Sequence, residues 1–505
     1  MILPLDLSIM IEPTDPVVTF NGLMREMDLK KYYQPVAEKG RIGYNPETMM
    51  KIVLFAQMEN KRSLREIERA CQTDIRFMWL AKEARPSHMT IGNFINKELK
   101  MNITEILRDL NNILTKKANI DVETVYLDGT KIEANANKYQ WVWKKASEKQ
   151  LRKLPTTISR NLTLLNEEYL SGSGAEFRIK ERYEEKDLQA VIGWIIKEIE
   201  RQEIKSVYGK GKHKSGLQRF LEHFESYLGK LRRYEEDIRI CGEERNSYAK
   251  TDHDATYMRM KEDYMKNGQL KPGYNLQLAV SDGFIMAVGT FQNRDDHKTL
   301  APMAEKLKSM YSMYPRNMVA DAGYGSISNY IFCQDKNMRP FIKYTMYAKE
   351  KEKKYRDNPY RVEKMRQADG RYVCPQGYPF EFTTRRKHHA GDVEFFVEEY
   401  ACEHCGNCPV KNQCTKAKVN RTISINELGR ELELEAKNLL DSPEGITKRI
   451  QRSIQSEGVF AVIKEDLGYR RLERRMMKNV NLEFHLVAIG YNLFKYHQKI
   501  KPIIA

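Results

Sequence analysis

The sequence predicts an α/β multidomain protein with a mixed sheet at its centre and flanking helices. Three observations support this class. At 505 residues, the chain exceeds the size at which a single hydrophobic core stops growing. Apolar runs with strand-like character occur at 125–127, 273–280, 285–291 and 318–320, and a helical pattern that begins at Asp296 separates the last two. Highly charged helical stretches interrupt this series, which indicates insertions into one core.

Residues 1–115 are predicted to form an N-terminal helical domain. Asn45-Pro46-Glu47 can cap and start one helix, and Ser63-Leu64-Arg65-Glu66 is a capping box that opens the next. A further helix is expected to begin near Thr90. The domain is either a helix-turn-helix variant or a helical interaction domain. In the first case its basic face would contact DNA phosphates through Lys61, Arg62 and Arg65.

The composition is basic, with a formal net charge of +16 and a sequence pI near 9.2. Such a surface attracts polyanions, and 28 Tyr offer rings that can stack on bases. DNA or RNA is therefore the expected partner, although basicity can also serve solubility or contact with a membrane surface. No segment approaches about eighteen uncharged apolar residues, so we expect a soluble, cytoplasmic protein with no membrane partner.

Two of the predicted strands lead into an aspartate. Val125 to Leu127 precede Asp128, and Met318 to Ala320 precede Asp321, while Glu457 lies on a segment with a helical apolar face. In a mixed sheet both aspartates could project at the same sheet end, with the helix presenting Glu457 against it. Carboxylates are the ligands that Mg²⁺ and Mn²⁺ prefer. Taken singly, however, each acid is also an ordinary turn, cap or surface residue.

Three motifs carry a resemblance to a known family. Tyr126-Leu127-Asp128-Gly129-Thr130-Lys131, Val319-Ala320-Asp321-Ala322-Gly323-Tyr324, and Glu457 with Lys464 resemble the acid motifs of the DDE transposases of bacterial insertion sequences. The catalytic core of that family is ribonuclease-H-like. The resemblance spans residues 123–140, 251–343 and 450–496 together with the N-terminal helices.

The resemblance implies a metal-dependent DNA transposase that cuts transposon ends and transfers them into target DNA. Asp128, Asp321 and Glu457 would hold two Mg²⁺ or Mn²⁺ ions, and Lys464 would contact a phosphate of the transposon end. The family has a Tyr and an Arg where this chain has Ile450 and Ser453. The candidate replacements for the DNA-positioning Arg are Arg449 and Arg452.

Two further expectations follow from this family. The protein would act on DNA as a homodimer or larger complex, because two ends must be paired. It would be a bacterial, cytoplasmic and nucleoid-associated protein. The alternatives are a catalytically silent regulator that only binds DNA, and a structure-specific nuclease that cuts without joining strands.

The predicted catalytic core is discontinuous along the chain. It comprises residues 120–140, 251–343 and 445–500, and is interrupted by a helical insertion at 141–250 and a cysteine-containing insertion at 345–440. The helical insertion includes the basic stretch Gly209 to Ser215, which is either a DNA-contacting loop or a solvated surface.

Five of the eight cysteines lie between Cys374 and Cys414. Steps of the C-x-x-C type place thiolates where a tetrahedral Zn²⁺ can be held, so the insertion is predicted to contain a structural zinc site. The alternative is a set of free buried thiols. The predicted ligands are Cys374, Cys405, Cys408 and Cys414, with Cys402 as an alternative.

Overall fold

The structure is a computed structural model that describes residues 7–33, 43–82, 84–172, 175–209, 213–260 and 268–504. Residues Lys210 to Lys212 of the predicted basic loop lie outside the described residues. The chain divides into two compact units. Unit 1 comprises residues 1–132, 275–470 and 478–505, and unit 2 comprises 133–274 and 471–477.

The described residues form both strands and helices throughout the chain. The strands are β1 (Thr124–Glu133), β2 (Trp141–Trp143), β3 (Ser247–Ala249), β4 (Thr256–Arg259), β5 (Leu270–Ser281), β6 (Phe284–Phe291), β7 (Asn317–Ala320), β8 (Arg339–Ile342), β9 (Glu381–Ala390), β10 (Val393–Cys402) and β11 (Arg421–Ile425). The first nine helices are α1 (Pro16–Glu26), α2 (Pro46–Met58), α3 (Leu64–Thr73), α4 (Ile75–Ala81), α5 (His88–Phe94), α6 (Lys100–Ala118), α7 (Lys144–Leu165), α8 (Glu185–Arg201) and α9 (Gly216–Cys241). The remaining helices are α10 (Leu300–Tyr311), α11 (Ile327–Asp335), α12 (Lys353–Arg356), α13 (Val362–Met365), α14 (Lys411–Cys414), α15 (Glu427–Asp441), α16 (Pro443–Arg452), α17 (Gly458–Ala461) and α18 (Met477–Ile504).

Capping residues mark the starts of several N-terminal helices of unit 1. The Asn45 side chain accepts a hydrogen bond from the Glu47 amide at the start of α2, and Ser63 forms a capping box with Glu66 at the start of α3. The helix expected near Thr90 starts two residues earlier as α5, because Ser87 is its N-cap and accepts from the Thr90 amide.

A mixed sheet forms the centre of unit 1, in the order β6, β5, β1, β7, β8. Strands β1, β7 and β8 are parallel, whereas β5 and β6 form an antiparallel hairpin. The hairpin turns at Asp282 and Gly283, both with positive φ, as a two-residue turn of this kind requires. This α/β arrangement with a mixed sheet and many helices is compatible with a ribonuclease-H-like core. One prediction needs correction: β1 does not end at Asp128 but continues to Glu133, so Asp128 lies inside the strand.

Helices from both ends of the chain cover this sheet. Asn111 of α6 donates hydrogen bonds to the carbonyl oxygens of Ile285 and Met286 in β6. Asn492 of α18 donates to Asn111 and to Ile285. The N-terminal helices therefore belong to the same compact unit as the sheet.

Residues 443–466 form one continuous helical run. It consists of α16, a π turn at Ser453–Glu457, α17 and a second π turn at Val462–Asp466. Such turns insert an extra residue into a helix and occur frequently at functional sites.

Unit 2 is mainly helical, and its helices α7, α8 and α9 pack together. Their core contains Leu162, Leu188, Ile195 and Phe224. Strands β2 and β3 pair antiparallel, and β4 pairs with the first residues of β5.

The cysteine-containing segment belongs to unit 1 and has its own small sheet, β9, β10 and β11, all antiparallel. In the described part of the chain, no helix is both long enough and apolar enough to cross a membrane.

Candidate active site

The parallel strands of unit 1 bring two of the predicted acids abreast. The register pairs Tyr126 of β1 with Val319 of β7. Continued by two residues, the same register sets Asp128 beside Asp321. The two aspartates therefore lie side by side on neighbouring parallel strands, although most of the core separates them in sequence.

A lysine continues this row. The register of β7 with β8 pairs Ala320 with Ile342, so the next residues are Asp321 and Lys343. Burial lowers the pKa of Lys343, and the neighbouring guanidinium groups of Arg452 and Arg449 lower it further, while the carboxylates of Asp321 and Glu457 oppose them. Lys343 thus lies among both the acids and the arginines of the site, although the sequence analysis did not single it out.

The carboxylates of Asp128 and Asp321 are each oriented by a nearby glycine amide. The amide of Gly129 donates to Asp128 Oδ1 at 2.9 Å, and that of Gly323 donates to Asp321 Oδ1 at 2.8 Å. Asp321 also caps the short 3-10 helix Ala322–Tyr324. Asp128 is buried, with 6% of the residue exposed.

Arg452 joins the two acids that lie furthest apart in the chain. Its Nη2 is 3.1 Å from Glu457 Oε1, and its Nη1 is 3.7 Å from Asp128 Oδ2. The Arg452 side chain is 11% exposed and the Glu457 side chain 61% exposed. The guanidinium therefore lies between a buried carboxylate and a solvent-facing one.

Asp296 is a fourth carboxylate at this site. Its Oδ1 accepts hydrogen bonds from Asn275 Nδ2 at 2.7 Å and from Gln277 Nε2 at 3.0 Å. A Cβ atom placed on Gly323 would lie 3.0 Å from Asp321 Oδ1 and 3.5 Å from Asp296 Oδ2, so these two carboxylates flank the same glycine.

The phenol of Tyr324 lies close to three carboxylates, those of Asp296, Asp128 and Asp321. Burial raises its pKa well above the usual value, and the charges of Asp296, Asp128 and Asp321 raise it further. Its hydroxyl donates to the buried Gln277 side chain. Tyr324 is fully buried, so it packs within the site and offers no exposed ring for base stacking.

Comparison with known families matches both ends of the chain. A family model described as a transposase DDE domain matches residues 373–497, which include Glu457 and Arg452. A second model, described as a transposase domain (DUF772), matches residues 5–97. Both matches indicate a DDE transposase of an insertion sequence. Neither the search of curated proteins nor that of solved structures returned a match.

The two matches support a transposase-type enzyme, for which DNA is the implied partner. Asp128 and Asp321 lie outside both matched segments, because the DDE model begins at residue 373, after both aspartates in the sequence. Their assignment therefore rests on the geometry of the sheet and on the motifs around them.

The predicted DNA-contacting side chains of the transposase have distinct surroundings. Arg449, the other candidate replacement for the family's Arg, donates from Nε to the Leu440 carbonyl at 3.1 Å and lies over the Tyr347 ring, whereas Arg452 reaches Glu457. Lys464 lies partly buried in the second π turn.

The basic residues between α2 and α3 differ in exposure. The Arg62 guanidinium stacks on Tyr469 at 4.4 Å, and Lys61 lies over the Phe77 ring at 5.9 Å. Arg65 is exposed in the first turn of α3. Arg65 is therefore the most accessible of the three to a phosphate.

Four of the five cysteines between Cys374 and Cys414 converge on a small core, whereas Cys408 is not part of it and is partly exposed. Cys402 and Cys405 are buried there, with Cys374 and Cys414 packed against them. Two sulfurs accept backbone hydrogen bonds, Cys374 from Tyr378 and Cys405 from Arg421, and the Arg421 Nη1 lies 2.8 Å from the Cys414 sulfur. Burial raises the pKa of Cys402 to about 11, which favours a protonated thiol there.

The residues present fit a divalent cation in their chemistry. Across the described ranges, no three His, Cys, Asp or Glu side chains form a group that could hold a metal ion as they stand. The carboxylates of Asp128, Asp321 and Glu457 nevertheless supply the oxygen ligands that Mg²⁺ and Mn²⁺ require, and this family generally uses divalent metals. Within that set, Arg452 supplies the positive charge between Asp128 and Glu457.

Proposed function

We propose that this transposase cleaves the ends of its mobile element and transfers them to target DNA by metal-dependent phosphoryl transfer. One observation carries the proposal: Asp128 and Glu457, distant in sequence, share the guanidinium of Arg452, and Asp321 stands abreast of Asp128 on the next parallel strand. Two acids side by side on the sheet, and a third that reaches the first through Arg452, support a shared role for them.

Asp128, Asp321 and Glu457 would hold the divalent ions. Two such ions, when bound, activate the attacking oxygen and stabilise the leaving one. The glycine amides that bind Asp128 and Asp321 fix the directions of these carboxylates, which reduces the reorganisation required of them. Mutation of any of the three would remove a ligand without removing the fold.

Lys343 would bind the phosphodiester that is cut. Among the residues that the structure describes, none forms a hydrogen bond or ion pair with its ammonium group, although the side chain is partly buried. A partly buried cation without a partner favours an anionic ligand, and such a ligand would lie beside the acids, since Lys343 continues the row formed by Asp128 and Asp321.

The N-terminal helices would bind DNA through Lys61, Arg62 and Arg65, and Lys464 with Arg452 would contact phosphates of the transposon end. These contacts position DNA but carry no base information. Because both ends of the element must be held together, we propose a homodimer or larger complex on DNA. The helical and cysteine-containing insertions, at 141–250 and 345–440, would add further DNA or partner contacts.

The test is cleavage and strand joining of labelled DNA that carries the ends of the flanking element, with Mg²⁺ or Mn²⁺. Asp128→Asn, Asp321→Asn and Glu457→Gln should each bind the DNA but neither cut nor join it. Glu444→Gln is the matched control, since Glu444 lies on the same helical run and pairs instead with Arg339. It should retain activity.

The outcomes separate the proposed function from its rivals. Full activity in the three variants would contradict the three-acid assignment. Cleavage by the parent without any joining would favour a structure-specific nuclease. DNA binding without cleavage by the parent would favour a catalytically silent regulator.

A further inference from the structure

The guanidinium of Arg452 occupies the space between two predicted metal ligands. Its two terminal nitrogens point to different carboxylates, Asp128 on the sheet and Glu457 on the helix. Neither contact is a bidentate ion pair, and the separation from Asp128 is 3.7 Å. The contact thus compensates charge without the geometry of a strong, permanent salt bridge.

The helix around Arg452 contains buried polar atoms without hydrogen-bond partners. Among described residues, none pairs with Arg452 Nε, Gln455 Oε1 or Ser456 Oγ. Ser456 is 1% exposed, so water does not readily satisfy it. All three atoms lie within or next to the π turn Ser453–Glu457. Buried polar atoms in folded proteins nearly always have a hydrogen-bond partner, so these three atoms remain available to form new hydrogen bonds.

A divalent cation and this guanidinium compete for the same two carboxylates. Mg²⁺ demands carboxylate oxygens at about 2.0–2.1 Å, which leaves no room for a guanidinium between them. Two cations of the same sign would also repel one another across so short a distance. Asp128 and Glu457 can therefore serve Arg452 or a divalent ion, but not both in the present arrangement.

We propose that Arg452 is the resident counter-ion of Asp128 and Glu457 in the DNA-free protein, and that it must leave them before a divalent cation can bind. This inference rests on the proposed function and adds a regulation of the same site. Arg452 acts here as a positioning residue. Its positive charge offsets the repulsion between the Asp128 and Glu457 carboxylates, and it competes with a metal ion for them.

A DNA phosphate provides the alternative partner for the displaced guanidinium. Arg452 and Arg449 both lie close enough to Lys343 to lower its pKa, so an entering phosphate is attracted by all three. Engagement of Arg452 by phosphate would release Asp128 and Glu457. By thermodynamic linkage, DNA would then tighten metal binding, and metal would tighten DNA binding by the same factor.

The test measures Mn²⁺ affinity of the DNA-free protein by electron paramagnetic resonance. Arg452→Gln removes the counter-ion and should bind Mn²⁺ at least about fivefold more tightly than the parent. Arg452→Lys keeps the charge and should stay close to the parent. Asp128→Asn should weaken binding in either background, and thermal unfolding of each variant verifies that it is folded.

Arg449→Gln is the matched control. Arg449 lies about one helical turn before Arg452 and carries the same charge, but its guanidinium donates to the Leu440 carbonyl. The substitution should alter Mn²⁺ affinity much less than Arg452→Gln does.

The results distinguish this inference from the proposed function. If the parent binds Mn²⁺ through Asp128 but Arg452→Gln binds no more tightly, the counter-ion role is wrong and the metal site stands. If neither protein binds Mn²⁺, both proposals fail. An equal gain in Arg449→Gln would reduce the effect to net charge and overturn the specific role of Arg452.

Discussion

Asp296 shows how a residue outside the three acid motifs enters the site. Two buried amides, those of Asn275 and Gln277, hold its Oδ1, while no described residue donates a hydrogen bond to its Oδ2. The side chain is therefore fixed at one oxygen, and the other lies near the glycine that also flanks Asp321. Such an arrangement is typical of a carboxylate that orients or supplements metal ligands.

Asp296→Asn should reduce DNA cleavage by about 10- to 100-fold, the usual effect of changing a group that supports metal ligands. The amide oxygen can still accept from Asn275 and Gln277, so the fold should be preserved and the loss should come from the missing charge. The measurement is the cleavage rate as a function of Mg²⁺ concentration, in which the half-saturating concentration should rise.

Asp295, the exposed neighbour of Asp296, provides the control for the Asp296→Asn experiment. Asp295→Asn removes the same charge next to Asp296 but caps no helix through its side chain. Equal losses in the two variants would mean that the local charge, and not the position of Asp296, matters.

Residue-level prediction from sequence succeeded where local pattern determines the environment. The apolar runs before Asp128 and Asp321 indicated strands, and the strands are present. Lys343 and Asp296 were not identified as site residues because their placement depends on strand register and on side chains from another strand. Arg452 could be offered only as one of two candidates, since a π turn changes which helix face a residue occupies.

At the scale of elements, the contact between α2 and α18 is unusually close. A Cβ atom at Gly490 would lie 2.5 Å from the Gln57 carbonyl oxygen, a distance that backbone atoms cannot accommodate without moving. Gly490 therefore permits the first and last parts of unit 1 to pack directly.

Gly490→Ala should lower the free energy of unfolding by roughly 1–3 kcal/mol, the usual cost of overpacking. Gly22→Ala, in α1, should act in the opposite direction. Apart from the helix's own backbone and the two chain neighbours, no heavy atom of the described residues lies within 4 Å of a Cβ placed there. Ala is also favoured over Gly in a helix by about 0.5–1 kcal/mol. Denaturant unfolding measures both free energies. If Gly490→Ala leaves the free energy of unfolding unchanged, α2 and α18 can move apart enough to accept the methyl group at little cost.

The cysteine-containing element is a second case in which packing leaves a testable alternative. The sulfurs of Cys374, Cys402, Cys405 and Cys414 lie in one small core. Those of Cys374 and Cys405 accept hydrogen bonds from backbone amides, and that of Cys414 lies beside the Arg421 guanidinium. Amide and guanidinium donors favour thiolates, but the same cluster could remain a set of thiols. The zinc site stays a prediction.

Protein purified without chelator should contain about one zinc per chain, measured by elemental analysis, if four of these thiolates form a closed site. Cys405→Ser and Cys414→Ser should lose the metal. Cys333→Ser, a buried cysteine on α11, should keep it. Zinc-free native protein would leave the cysteines with a packing role only.

At the scale of the whole molecule, the formal charge of +16 predicts that DNA affinity depends strongly on salt. Fixed cations that already pair with carboxylates contribute little to this dependence, whereas exposed unpaired ones contribute most. Arg65 is exposed, while Arg201 forms an ion pair with Glu198.

Arg65→Gln should weaken DNA binding for all sequences alike and reduce the slope of log affinity against log salt by about 1. Arg201→Gln should leave that slope nearly unchanged. Fluorescence anisotropy with labelled DNA at several salt concentrations measures both. If Arg65→Gln does not change the slope, this helix does not contact phosphate, and the interaction-domain alternative for the N-terminal helices is favoured.

The overall class was predictable because length, strand periodicity and charge each act over long stretches. Helices α7, α8 and α9 lie within the stretch 141–250 whose pattern predicted helices, although that stretch also contains the short strands β2 and β3. The joining of the N-terminal helices to the sheet in one unit was not predicted, since Asn111 and Asn492 look like ordinary helix residues until their partners are known.

The alignment of Asp128 with Asp321 has an evolutionary consequence. The two acids meet through strand register, so the number of residues between them places no constraint on their meeting. Relatives could gain or lose whole insertions in that interval and keep the acids aligned. A single residue inserted between Thr124 and Asp128 would instead turn the aspartate to the opposite face. Natural length variation should therefore be broad in the connections and absent from these short strands.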